Sequence, residues 1–410
     1  MTKRILFVSH DASRTGAPIM FLNFLKWLRV NTNYEACILL LRGGELVSEF
    51  ENIFETFVWE PALKPLSLKK RVFNFIKRTL NIETNYKKNI LYKIRQKKPD
   101  IAYLNTVVSN GFIPYLKNIG INKVISHVHE NELSINIHYK KYLESSFLME
   151  INLYIAVSIS TKKNLETQWK IPSKKINLIY ECVDNKKFKN PTVQKNKIRE
   201  ELGIDENDFV IGGAGTLTWR KGIDLFILLA AEIYKRKQSC SIKMIWLGGY
   251  DENFKISANY EMHRLGISDM IQFVGMKNDP ENYFQLFDVF ALTSREDPFP
   301  LVAIEVASNA IPIVCFAEAG GIPEMIISGG GEIVPYSDVF EMANSIMNLR
   351  EDYQLLVKRK KEIIEIAKKF DVNIVAPSIC EVIDKVINDE NKYLYNDSNI
   401  SGELVLKANN

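Results

Sequence analysis

The sequence is poor in the residues that mark a metal or redox centre. Its five cysteines, at positions 37, 182, 240, 315 and 380, stand far apart with no CxxC, and its five histidines form no HExxH. A metal site built from protein ligands is therefore not expected. Isolated cysteines in apolar runs predict buried reduced thiols and a cytoplasmic location. No stretch approaches the roughly 18 apolar residues of a membrane-spanning helix. The opening Met-Thr-Lys-Arg-Ile-Leu-Phe-Val-Ser-His has too short an apolar run for a signal peptide. A complete G-x-G-x-x-G is also missing, which argues against an NAD-dependent oxidoreductase. The net charge is only +4 over 410 residues, so the overall balance gives no reason to expect nucleic acid as a partner.

What remains is a globular composition, with 46% hydrophobic and 25% charged residues, in a chain long enough for two cores. Short apolar runs at 5–9, 36–41, 101–105, 123–127 and 153–157 read as strands, with an amphipathic helix at 20–28 after the first. A second set lies at 210–213, 243–247, 271–274, 289–292 and 311–316, with helices at 225–235 and 339–349. Alternation of this kind predicts an α/β protein with two doubly wound parallel-sheet domains. Residues 1–185 are expected to form the first domain and 186–370 the second. A final amphipathic helix at 371–388 is expected to pack back on the first domain, and 389–410 to form a polar tail.

The most informative stretch is 294–305, Ser-Arg-Glu-Asp-Pro-Phe-Pro-Leu-Val-Ala-Ile-Glu. It puts Asp297 after a strand and Glu305 within a helix that opens near Leu301. A carboxylate on an apolar helix is costly to bury without a partner, and a structural ion pair is the plain reading for one alone. Pro298 and Pro300 have no N–H, whereas Phe299, Leu301 and Val302 offer theirs at the helix N-terminus, where an anion is favoured. A second loop, Gly213-Ala-Gly215-Thr-Leu-Thr-Trp-Arg220-Lys221-Gly222, sets two cations at a glycine-bounded turn. Each would attract a phosphate charge about 4 Å away by on the order of 4 kcal/mol before desolvation, at an effective dielectric near 20; a surface capping pair is the alternative. After the first strand, Gly16 opens the next helix, where an anion or an ordinary turn fits equally. His127 and His129 share one face of a strand end. Between 64 and 98, twelve Lys or Arg face a single acid, Glu83. That segment suits either an anionic membrane surface or a solvated basic face.

Together these residues resemble retaining glycosyltransferases of family 4, with the two-domain GT-B fold around a central cleft. The resemblance runs from Ile5 to about Ala376. The family's G-R-L-x-x-x-K-G resembles residues 215–222, and its E-x7-E resembles Asp297 to Glu305. The Thr15-Gly16 loop is similar to its glycine loop, His129 to its strand-end histidine, and Ile179-Tyr180-Glu-Cys-Val-Asp184 to the approach to its hinge. Phe273-Val-Gly275 is similar to the strand end near the nucleotide base, with Met276 beside it. Thr216 stands where the family often has an arginine, Asp297 replaces a glutamate with Glu296 adjacent, and Cys182 replaces a glycine.

The resemblance implies a nucleotide sugar as donor substrate, no required cofactor, and a saccharide or lipid-linked acceptor in cell-surface polysaccharide or glycolipid assembly. It implies catalytic roles for His129, Asp297 and Glu305. Donor contacts are implied for Gly16, Arg220, Lys221, Met276, Glu296, Phe299, Leu301 and Val302. A non-catalytic nucleotide-sugar-binding module is the alternative, with a sugar phosphorylase or epimerase as further options on the same fold.

Overall fold

A computed structural model describes residues 2–60, 82–188, 193–236, 241–250 and 252–388. The expected tail at 389–410 lies outside the described residues, as does the basic segment up to residue 81.

Two parallel sheets organise the chain. The first contains β1 (Arg4–Ser9), β2 (Glu35–Arg42), β3 (Glu55–Glu60), β4 (Ile101–Asn105), β5 (Val124–Val128), β6 (Leu153–Ala156) and β7 (Ile176–Leu178), in the order β3-β2-β1-β4-β5-β6-β7. The second contains β8 (Phe209–Ala214), β9 (Ile242–Leu247), β10 (Ile271–Gly275), β11 (Val289–Leu292), β12 (Ile313–Phe316) and β13 (Gly331–Val334), in the order β10-β9-β8-β11-β12-β13. Every residue of β4, β5, β11 and β12 is buried, because helices cover both faces of a parallel sheet. Strands β3, β7 and β13 were not expected from the sequence. They are short or only half-buried, so they lack the continuous apolar run of a central strand.

The helices around these sheets include α1 (Gly16–Asn31), α2 (Ile82–Gln96), α3 (Ile159–Thr167), α4 (Ile223–Lys235), α5 (Leu301–Ser308) and α6 (Val372–Asn388). Helix α1 buries Met20, Phe21, Phe24, Leu25 and Leu28 against the first sheet, with the Phe21 ring 5.7 Å from Phe7. Helix α6 packs on the first domain. Trp27 donates to Asn373 Oδ1 (3.1 Å), Tyr34 to Asp384 Oδ1 (2.5 Å) and Lys123 to the Ile387 carbonyl (2.6 Å). The chain thus crosses between domains twice. The crossings are stitched together where Val183 N–H donates to Phe370 O and Val372 N–H to Val183 O. Cys182 is completely buried in the first of them.

Strand order reverses between β1 and β4 and again between β8 and β11. In such sheets the ligand crevice lies beyond the carboxyl ends of the strands at that reversal. The glycine-bounded cation loop follows β8, and the acidic turn follows β11. Topology alone therefore makes these two loops neighbours.

Candidate active site

Asp297 and the two cations meet in one cluster. Lys221 Nζ lies 2.5 Å from Asp297 Oδ2, Arg220 Nη1 lies 3.4 Å from Asp297 Oδ1, and Ser294 Oγ donates to Asp297 Oδ2 at 3.1 Å. Asp297 is only 6% exposed. Burial alone would raise its pKa, but the neighbouring charges of Lys221 and Arg220 win and hold it below the usual carboxylate range. Burial, helped by Arg220, lowers the Lys221 ammonium despite Asp297.

Backbone packing leaves little freedom in how these loops meet. Gly222 has φ +68, and a Cβ there would sit 1.8 Å from the Thr293 carbonyl oxygen. Gly320 has φ +133, and its Cβ would sit 1.7 Å from the Asp297 carbonyl oxygen. Asp297 N–H donates to Ala319 O at 2.7 Å, so the glycine-rich turn after β12 clamps the acid. Arg295 grips the other side. It forms a two-point contact with Asp224 (2.8 and 2.7 Å) and lies 4.5 Å over the Trp219 ring.

Glu305 lies eight residues beyond Asp297, within α5, and is partly buried. Among the described residues nothing hydrogen-bonds its carboxylate, and its charged neighbours are Lys187 and Glu281 rather than Arg220 or Lys221. Burial pushes its pKa up to about 7, with Lys187 opposing and Glu281 adding. The acidic pair is therefore split, one member loaded with cations and the other open to hydroxyl donors. The N–H groups of Phe299, Leu301 and Val302 have no hydrogen-bond acceptor among the described residues. The Phe299 ring is buried against Tyr180 and Phe370. Met276, 62% exposed, follows β10 and lies beside Gly249 after β9.

In the first domain, Gly16 opens α1, and a Cβ added there would meet nothing within 4 Å. His129 lies just beyond β5. Its Nδ1 is 2.6 Å from Glu181 Oε1 and its Nε2 is 2.8 Å from Asn105 Oδ1. Its ring packs 4.1 Å from that of His127, whose Nδ1 meets the Tyr103 hydroxyl at 2.5 Å. Beside it, Glu130 Oε2 accepts the N–H groups of His129 (2.9 Å) and Val107 (3.2 Å). Burial raises Glu130 to about 7 against these bonds and the His129 charge. His127 is lowered by burial and by His129.

Glu296, expected to contact the donor, turns its carboxylate away from the Asp297 cluster. Its carboxylate crosses the cleft and accepts from Leu133 N–H (2.7 Å), Ser134 N–H (3.2 Å) and Ser134 Oγ (3.3 Å). Those exposed helical N–H groups attract it away from the cations. Glu324 crosses in the same sense, accepting from Ile159 N–H (2.9 Å) and Ser160 N–H (3.0 Å) at the start of α3.

The family described as Glycosyl transferases group 1 matches residues 194–370, and Glycosyltransferase Family 4 matches residues 54–187. Between them the two matches span most of the chain, which is similar to the group 1 glycosyltransferases. It is similar to the O-antigen biosynthesis glycosyltransferase WclY of Escherichia coli, 27% identical over 47% of this chain and 53% of that protein. It is also similar to the alpha-galactosylglucosyldiacylglycerol synthase of Streptococcus pneumoniae, 32% identical over 35% of this chain and 38% of the synthase. The chain thus spans about half the length of the first relative and less of the second. The crystal structure of Anabaena HepE in complex with UDP and glucose superimposes with a TM-score of 0.76 at 21% identity, over 93% of this chain and 99% of that one. The fold is GT-B, two Rossmann-like domains facing a cleft.

Sequence reasoning assigned no site role to Asn105, Glu181, Ser294 or Glu324. Two of them carried a signal: Glu181 as a carboxylate between apolar neighbours in the expected hinge approach, and Glu324 at the end of the glycine-rich turn after the 311–316 run. Among the described residues no group of three or more His, Cys, Asp and Glu is arranged to hold a metal. No described helix is long and apolar enough to cross a membrane.

Proposed function

We propose that the chain transfers a sugar from a nucleoside diphosphate donor to a hydroxyl acceptor, with retention at the anomeric carbon, in polysaccharide or glycolipid assembly. The observation that carries this reading is the Asp297–Lys221–Arg220 cluster beyond the β8/β11 reversal. It combines a carboxylate for sugar hydroxyls with two cations for a pyrophosphate. Lys221 and Arg220 neutralise the diphosphate as the bond from its oxygen to the anomeric carbon breaks. Asp297 and the N–H groups of Phe299 and Leu301 hold the sugar, and Glu305 accepts ribose hydroxyls. The acceptor oxygen bonds to the same face of the anomeric carbon, and its proton passes to the departing phosphate. Asp297 holds Lys221, so the ammonium is positioned before the phosphate arrives. Both ring nitrogens of His129 are engaged by protein, which favours its backbone carbonyl as the group that meets the cationic sugar. Among the described residues nothing donates to that carbonyl.

A uridine nucleotide is the first donor to test, since the HepE structures contain UDP or UDP-glucose. The relative that makes a glycosyldiacylglycerol supports a lipid-linked acceptor. Exposed Lys88, Lys93 and Arg95 on α2 suit an anionic membrane surface near such an acceptor. A thermal-shift screen with UDP-, GDP-, ADP- and dTDP-sugars, followed by mass spectrometry and anomeric analysis of products, tests the reading. A bound sugar nucleotide that is never turned over would make the chain a binding module. An inverted product would remove the retaining mechanism.

A further inference from the structure

His129 and Glu181 are 52 positions apart and almost wholly enclosed, with side chains only 4% and 5% exposed. Glu181 sits in the first crossing between domains, next to Cys182 and two residues before Val183 pairs with the second crossing. Its Oε1 meets His129 Nδ1 at 2.6 Å, and its Oε2 is buried with no hydrogen-bond partner. A buried carboxylate with a single polar neighbour requires either a matching cation or its own proton.

The opposite side of the ring decides between these. His129 Nε2 lies 2.8 Å from Asn105 Oδ1. The Asn105 amide nitrogen donates to the Ala17 carbonyl at 3.3 Å, which fixes the amide so that Oδ1 faces the ring as an acceptor. An acceptor stands at each ring nitrogen, and only the imidazolium has a proton for both.

Resting on the glycosyltransferase reading above, we propose that Glu181 is a positioning residue that holds His129 as a doubly protonated, immobile imidazolium at the cleft edge. The ring then neither removes a proton from the acceptor nor donates to the sugar. Its charge is matched inside the protein, and its main chain is fixed where β5 ends. Because Glu181 belongs to the interdomain crossing, the pair also ties that wall of the cleft to the segment about which the domains would move.

The titratable groups around the ring fit this assignment. Glu130 lies on its own segment, His127 on β5, His10 beyond β1 with Asp11 beside it, and Glu181 beyond β7. Burial lowers the His129 pKa, but the charge and hydrogen bond of Glu181, aided by Glu130, reverse that and raise it above the ordinary value. The same surroundings lower His127 and His10. The charge therefore resides on one of three neighbouring imidazoles.

The test is nitrogen-15 NMR of the imidazoles in the full chain and in Glu181→Gln, paired with turnover of the nucleotide sugar from pH 5.5 to 9. In the unaltered protein, His129 is expected to show two protonated nitrogens at pH 8. Glu181→Gln keeps shape and an acceptor oxygen but removes the charge. It is expected to make His129 a neutral tautomer at pH 8, lower kcat at least tenfold and leave KM for the donor within twofold. The alkaline limb of its kcat profile should move at least one pH unit down, and Glu181→Asp should restore part of the loss. A neutral His129 at pH 7 in the unaltered protein overturns the proposal. So does a variant that keeps the imidazolium, or loses it with kcat and pH profile unchanged. If the unaltered protein turns over no sugar nucleotide, the transfer reading fails, and the NMR spectra alone still decide whether Glu181 sets the charge.

Discussion

Glu305 should make donor affinity depend on pH in a direction that can be worked out in advance. Burial opposes its charge and pushes its carboxyl up to about 7, well above the ordinary 4.5. Ribose hydroxyls donate hydrogen bonds, so they favour the ionised form and return the pKa toward its ordinary value. The donor-competent carboxylate is then lost from the free site as pH falls through 7. With these two values, Kd for the nucleotide sugar at pH 6 should be about tenfold higher than at pH 8, roughly 1.4 kcal/mol. At pH 7, binding should release about half a proton per site, as linkage requires. Titration calorimetry in two buffers of different ionisation enthalpy measures both quantities. An intact nucleotide sugar is the right probe, because its diphosphate does not titrate in this range. Glu305→Gln should flatten the pH dependence and abolish proton release. Equal affinity at pH 6 and 8 in the unaltered protein, or the same slope in Glu305→Gln, would refute the assignment of Glu305 to the ribose.

Lys221→Ala leaves Asp297 buried with only Arg220 and Ser294 beside it; transfer should fall by at least about a hundredfold, as for loss of one preorganised charge contact, with stability reduced by on the order of 3 kcal/mol. Wild-type turnover in that variant would place the phosphate elsewhere. Glu324→Ala removes the acceptor for two N–H groups at the start of α3 and should cost about 1 kcal/mol. It should also increase the radius of gyration in X-ray scattering, and an unchanged scattering curve would show that other contacts hold the domains together. Sedimentation with anionic vesicles should show binding at low salt that is lost at high salt, whereas salt-independent or absent binding would leave the basic residues of α2 a solvated face.

Much of the fold was legible because buried parallel strands are apolar on both faces. The runs at 101–105 and 289–292 coincide with β4 and β11 for that reason. β12 starts at Ile313, two residues later than expected, since Ala310 has φ +57 and Pro312 has no N–H for the ladder. Three of the four edge strands, β3, β7 and β13, escaped detection because part of their surface is open, whereas β10, also at an edge, was read from its run at 271–274. The meeting of Asp297 with Arg220 and Lys221 was readable for a topological reason: loops after β8 and β11 must adjoin at the strand reversal. The surroundings of His129 were not readable. Asn105, Glu181 and Ala17 come from three distant segments, and no local spacing shows which acceptors will enclose an imidazole. Glu296 looked interchangeable with Asp297, yet adjacent residues in an irregular turn point in different directions. One meets the cations and the other meets the opposite domain.

That last adjacency has a mechanical consequence. Glu296 is anchored to Leu133 and Ser134 across the cleft while the next residue grips Lys221. Any parting of the two lobes would load Asp297 through a single peptide unit, so the grip on Lys221 and the bond across the cleft would be strained together.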